Sequence, residues 1–311
     1  MKNYAIIADA TCDLSKEFRE KYDIEVVDGH FVMPGGKEHK SICEWTEFTR
    51  EEFYSMLKKA PNDFTTSPPN VAAFCEVFEK HAKAGDGVLA ISISSGISGT
   101  YNFMLKAKEE VLEKYPNAEI EIVDSMRFGP GFGLLTIMAS DLRKDGKTLT
   151  EVKDYLEENK NRIHQAGWLD DLSFVAKKGR LTHAKAFFGT LAGVKPMGEF
   201  DYNGLTTVIG KFKGEKAAYE GCLKYIEKTI IDPEDKIILI ATTNRRKQAE
   251  IYKDMITEKF HPKEIYVCDV FPSCGINVGP GLMAAYYIGT HISEGLVSER
   301  AIINDIINDK G

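Results

Sequence analysis

The sequence predicts an α/β protein of two lobes: an N-terminal lobe on a mostly parallel sheet flanked by helices, and a C-terminal α/β lobe. Three observations predict it. The chain has 311 residues of which 43% are hydrophobic, enough to build more than one compact core. Short runs rich in Ile and Val alternate with stretches of helical periodicity, which calls for strands buried on both faces. Hydroxyl-rich loops stand where strands hand over to helices.

Along the chain, Tyr4 to Ala8, Val88 to Ile93 and Ile120 to Val123 read as buried strands. Between them, Val71, Phe74, Cys75 and Phe78 fall on one helical face, and Met104, Ala107 and Val111 repeat the spacing. A charged helix-forming stretch, Thr150 to Asn161, links or caps the first lobe, so the lobes are set at 1–160 and 161–311. In the second, Leu169 to Val175 and Ala184 to Leu191 read as short helices, and Ile237 to Ala241 and Glu264 to Cys268 as strands. A helix carrying Tyr252, Met255 and Ile256 separates those strands. The glycine-rich Gly275 to Gly281 opens an apolar helix through Leu282, Met283 and Ala284.

The net charge of −7 and the lack of any Lys/Arg block argue against nucleic acid as a partner. The opening Met1-Lys2-Asn3-Tyr4-Ala5-Ile6-Ile7 has no apolar signal segment, and no apolar run reaches the ~20 residues of a membrane helix. A cytoplasmic protein is expected. Cys12, Cys43, Cys75, Cys222, Cys268 and Cys274 form no C-x-x-C pair, and the seven histidines show no ligand spacing. Free thiols, no metal and no cofactor are therefore expected.

Two polar segments could carry chemistry: Thr65-Thr66-Ser67-Pro68-Pro69-Asn70, and Ser92 to Thr100 with Gly96 and Gly99. A helix N-terminus offers free N–H groups to an anion, hydroxyls donate without adding charge, and glycine permits close backbone approach. Ordinary helix capping explains either segment taken alone. In Lys177-Lys178-Gly179-Arg180, Gly179 can turn the chain and aim Arg180 at a carboxylate, against the alternative of a solvated basic turn. Catalytic and nucleotide motifs fail on spacing. Gly96-Ile97-Ser98-Gly99 is not a nucleophile elbow, Gly210 to Gly214 is not a Walker loop, and Ala8 to Asp13 is not a dinucleotide fingerprint.

Taken in order, these segments resemble the DegV family of bacterial fatty-acid-binding proteins. Ser94-Ser95-Gly96-Ile97-Ser98-Gly99-Thr100-Tyr101 is the closest likeness, supported by Asp9 to Leu14, Thr65 to Pro69, Val123 to Ser125, Lys178 to Arg180 and Val278 to Gly281. The resemblance implies a long-chain fatty acid bound between the lobes, its tail in a tunnel to which the second lobe contributes. It implies that Thr66, Ser98 and the backbone at Gly99 hold the carboxylate, with Arg180 in the same network. It further implies a carrier without catalysis, which presents its acid to a fatty acid kinase and makes transient membrane contact. Two positions depart from the family pattern. Asn277 stands where the family has histidine and can hydrogen-bond a carboxylate without being protonated, while Lys213 stands where arginine is usual. Pro68 likewise takes a glutamine position, and the stretch from His291 onward exceeds the family's expected length. Phe187, Phe188, Leu191, Leu134, Leu135 and Met283 are apolar enough to line a tail, yet such positions are more often core, and none is assigned. Two other classes compete: an acyl hydrolase or acyltransferase using Ser98 or Ser95, which needs a neighbouring base, and a regulatory protein sensing a non-lipid acid.

Overall fold

The computed structural model describes residues 3–181 and 193–309. The chain forms two compact units, one of Met1–Glu44, Asn62–Lys160 and Phe271–Ser273, the other of Trp45–Pro61, Asn161–Val270 and Cys274–Gly311.

The first unit begins with β1 (Tyr4–Asp9), α1 (Lys16–Tyr22), β2 (Ile24–Val27), β3 (Gly29–Val32) and β4 (Glu38–Ser41). After α2 (Arg50–Lys59), which belongs to the other unit, come β5 (Thr65–Ser67), α3 (Val71–Ala84), β6 (Gly87–Ser92), α4 (Thr100–Lys114) and β7 (Ile120–Asp124). Helices α5 (Gly129–Lys144) and α6 (Leu149–Asn159) complete it. Strands β2, β1, β6 and β7 form, in that order, a wholly parallel sheet. Every residue of β6 is buried, because α3 and α4 cover one face of the sheet while α5 packs on β1 and α6 on β6 and β7. Phe74, Phe78, Met104, Ala107 and Val111 form the helix side of this core against Ile7, Val88 and Ala90. Each buried Phe contributes about 1.5–3 kcal/mol. Gly85, left-handed, ends α3, and a Thr148–Glu151 capping box starts α6. A second, antiparallel sheet has the order β4-β3-β5.

The second unit adds to α2 the elements β8 (Ile163–Leu169), α7 (Ser173–Lys177), β9 (Val194–Phe200), β10 (Thr206–Lys213), α8 (Glu215–Thr229), β11 (Ile237–Thr242) and α9 (Arg246–Phe260). Then follow β12 (Glu264–Asp269), α10 (Pro272–Val278), β13 (Leu282–Ile288) and α11 (Val297–Asn308), with the first two residues of α10 counted in the other unit. Its sheet runs β10-β9-β8-β13-β11-β12, parallel between β11 and β12 and antiparallel elsewhere. Trp168, Tyr219, Tyr225 and Tyr252 pack with Ile238 and Ile240 in its core. The fully buried Glu199 carboxylate is stabilised there by backbone N–H groups of Gln165 and Phe200 and by the Tyr225 hydroxyl.

Two sequence expectations are corrected. Leu282 to Ala284 begin a strand, not a helix: β13 lies between β8 and β11, and a strand buried on both faces reads as an unbroken apolar run. Leu169 ends β8, and the helix near it starts only at Ser173. The segment Ala184 to Leu191, with Phe187, Phe188 and the remainder of the basic turn after Leu181, lies outside the described residues. Leu134 and Leu135 are core residues of the first unit and Met283 of the second. No described helix is long and apolar enough to cross a membrane.

Candidate functional site

The order β2-β1-β6-β7 fixes where a ligand crevice opens in the first unit. The chain builds outward from β1 to β2, then returns to place β6 on the other side of β1 and continues to β7. In an open parallel sheet the crevice lies beyond the carboxyl ends of the strands at such a reversal, here between Asp9 of β1 and Ser92 of β6. The loop leaving Ser92 is the hydroxyl-rich segment.

Three neighbours pin that loop. The Ser94 N–H donates to the Arg127 carbonyl (2.9 Å). The Ser95 N–H donates to the Asp124 carboxylate (3.2 and 3.3 Å), which also accepts from the Met126 N–H (3.0 Å). At the base, Asp9 ends the adjoining strand β1, and the backbone of Ile93 is among the groups that draw its carboxyl down. Within the loop, Ser94 Oγ accepts from the Gly96 N–H (3.1 Å). Asp9, Asp124, Ser92, Ser94, Ser125 and Arg127 are all buried, so this end of the sheet holds polar groups away from bulk solvent. Such groups need partners to be stable there.

Ser98 and Gly99 sit at the start of α4. Ser98 Oγ is 2.9 Å from Thr100 Oγ1 and accepts from the Thr100 N–H at 3.3 Å. Gly99 is the N-cap, and no side chain caps the helix there. Its φ of −78° is one any residue adopts, and a Cβ placed on it would meet nothing within 4 Å among the described residues. The packing of the described residues therefore gives no reason for glycine at 99. Beyond the Thr100 N–H that Ser98 takes, the start of this 15-residue helix has no side-chain cap from Gly99, which leaves first-turn N–H groups and partial positive charge for an anion.

Thr66 lies elsewhere in the same unit, half-buried in the middle of β5 and paired with Phe31 of β3. It does not cap α3; Asn70 does, accepting from the Ala73 N–H at 2.9 Å. The capping reading thus holds for Asn70 and leaves the Thr66 hydroxyl on a strand.

In the second unit, Gly179 turns the chain as its position suggested, with φ +73°. The Gly179 and Arg180 N–H groups close α7 by donating to Ala176 and Val175 carbonyls, each at 3.1 Å. Arg180 is exposed and its guanidinium donates to the Lys178 carbonyl. Burial, then the nearby Arg180 charge, holds the Lys178 ammonium below the usual lysine range. Asn277 is half-buried on α10, and Lys213 ends β10 just before Gly214, the N-cap of α8. This unit also contains a cavity of about 770 Å³ that the sequence did not reveal, lined in part by Lys58, Asp170, Phe174, Lys177 and Arg245. Asp170 binds both Lys195 (2.5 Å) and Arg245, an ion-paired cluster on one side of a cavity that Tyr54, Pro61 and Phe174 also line. Among the described residues, no group of three or more His, Cys, Asp or Glu is placed to hold a metal ion.

Residues 3–290 match the sequence profile of the family described as "Uncharacterised protein, DegV family". The chain belongs to the DegV family. A DegV domain-containing protein of Clostridium perfringens is 34% identical over 289 residues, covering 93% of this chain and 98% of that relative. The solved structure of DegV from Bacillus subtilis, described as a fatty acid binding protein, shares 25% identity at a TM-score of 0.77, over 93% of this chain and 100% of that one. A Thermus thermophilus DegV family protein, described by its fatty acid binding, superposes at a TM-score of 0.83 with 23% identity, again over 93% and 100% of the two chains. Helix α11 lies beyond the stretch that matches the DegV profile. The DegV likeness includes Asp9 and Asp124 as parts of motif segments; their standing as the last residues of two parallel strands is the signal that could have marked them as supports of the loop.

Proposed function

We propose that this chain binds a long-chain fatty acid through its carboxylate, with the Ser94–Thr100 loop and the uncapped start of α4 as the principal head-group site. The observation that carries the reading is Gly99, an open, unstrained N-cap glycine beside a hydroxyl at a switch-point crevice. Family membership supports it, since DegV proteins of known structure are described as fatty acid binding. By the family resemblance we also assign Thr66, Arg180 and Asn277 to the carboxylate. The Ser98 hydroxyl is engaged by Thr100, which favours a hydrogen-bonding role over that of an activated nucleophile. The protein is accordingly a carrier and not an enzyme, cytoplasmic, touching membranes transiently and presenting its acid to a separate kinase for acyl-phosphate formation.

A sixteen-carbon tail buries about 15 carbons at ~0.8 kcal/mol each, roughly 12 kcal/mol before the cost of association. A hydrogen bond to the charged head group adds about 1.5–3 kcal/mol. The tail dominates affinity and the head group sets chemical class. Delipidated protein should bind palmitate tightly and methyl palmitate at least about tenfold more weakly. Equal binding of acid and ester would remove the carboxylate from the account.

A further inference from the structure

A second strand end flanks the point where the strand order reverses. Asp9 closes β1 opposite the Ser92 loop, and its side chain is wholly buried. Oδ1 accepts from the Thr11 N–H at 2.8 Å and from the Thr11 hydroxyl. Oδ2 is buried and has no hydrogen-bond partner among the described residues. A buried carboxylate oxygen without a donor is costly, whereas a carboxyl that holds its proton needs only an acceptor.

We propose that Asp9 is a further head-group residue, presenting a protonated Oδ2 to the carboxylate bound at the Ser94–Thr100 loop so that the two acids share one proton. The proposal rests on the fatty-acid reading and deepens it. Position supports it: Asp9 ends β1 and Ser92 ends the neighbouring β6, so Asp9 and the loop flank the point where the strand order reverses. Electrostatics agrees. Burial pushes the Asp9 carboxyl above the ordinary aspartate range, against hydrogen bonds from Thr11 and the backbone of Ile93 that draw it down. Asp13, Asp124 and Arg127 are the other buried charged groups near the ends of β1, β6 and β7. The leading causes of the Asp9 shift are burial and hydrogen bonds. A ligand carboxylate beside Asp9 raises it further, as one of two carboxyls in a common site retains the proton.

The sign follows directly. Below its raised pKa, Asp9 donates to the ligand; above it, Asp9 is an anion facing an anion, so affinity falls as pH rises. The test titrates palmitate labelled with ¹³C at the carboxyl into wild-type, Asp9→Ala and Asp9→Asn protein across pH 6 to 9. Asp9→Ala should weaken binding about tenfold or more. Asp9→Asn, whose amide donates where the acid proton did, should recover binding relative to Asp9→Ala and give a flat pH profile. Should Asp9→Ala fail to fold, the flat profile of Asp9→Asn against the falling wild-type profile decides. One shared, pH-independent affinity in all three proteins overturns the role of Asp9 and leaves the carrier reading intact. A wild-type protein that binds no palmitate overturns both.

Discussion

Replacing Gly99 by alanine separates the needs of the fold from those of a ligand. The added methyl meets no atom of the described residues within 4 Å and the backbone φ is ordinary. Reduced freedom of the unfolded chain favours the variant by about 0.4–1 kcal/mol, while loss of the N-cap preference for glycine over alanine costs a similar amount. The two nearly cancel, so Tm should stay within ~3 °C, given ~2–4 °C per kcal/mol for a unit of this size. A carboxylate seated on the first-turn N–H groups of α4 would be displaced by that methyl. The loss of one charge-assisted hydrogen bond, about 1.5–3 kcal/mol, weakens palmitate binding at least about tenfold. Thermal unfolding and equilibrium binding on the same preparation read both quantities. Wild-type affinity in Gly99→Ala, or a Tm lowered by more than ~6 °C, would refute the reasoning, the first by removing the ligand and the second by showing that glycine serves the fold.

Other perturbations follow from the same geometry. Ser98→Ala should weaken palmitate binding modestly and broaden the carboxyl resonance of bound ¹³C-labelled palmitate; unchanged affinity with an unchanged resonance would take Ser98 out of the site. Asp124→Ala removes the acceptor for the Ser95 and Met126 N–H groups and should cost about 1–3 kcal/mol in urea unfolding, with weaker binding as the loop loosens. Burial raises the Glu25 carboxyl, but Lys80 and His81 outweigh it and hold the group below its ordinary value of 4.5. Its contribution is present above pH 4.5 and is lost as pH falls through the lowered value; Glu25→Gln should therefore flatten the urea midpoint against pH below 4.5, and an unchanged slope would exclude this pair as a source of acid sensitivity. Ile303 of α11 is fully buried against β10, where a side chain on Gly210 would collide with it. Ile303→Ala should cost about 2–5 kcal/mol, and a loss below ~1 kcal/mol would make α11 a loosely held appendage.

The first unit was the more legible in the sequence because its strands carry a strong signal. Parallel strands such as Val88–Ile91, covered on both sides, must be apolar throughout, and Phe74 and Phe78 must repeat at helical spacing to cover them. The small β4-β3-β5 sheet was not legible: strands of three or four residues exposed on one side, such as Thr65–Ser67, look like loop. In the second unit, Leu282–Ile288 misled because an apolar run carries no period that separates buried strand from buried helix. Ser98 and Gly99 could be singled out because hydroxyl and glycine before a helix are chemically specific. Asp9 and Asp124 were visible only as members of motif segments and Arg127 not at all, since their roles depend on strand order, and local sequence says nothing of which strands become neighbours.

Native mass spectrometry of the protein as purified, followed by extraction after mild denaturation, tests the central claim most directly. The account predicts a bound mass of about 250–290 Da, a size that suits a typical small-molecule site, released as a fatty acid of roughly sixteen to eighteen carbons. A bare protein that also takes up neither palmitate nor oleate would contradict it.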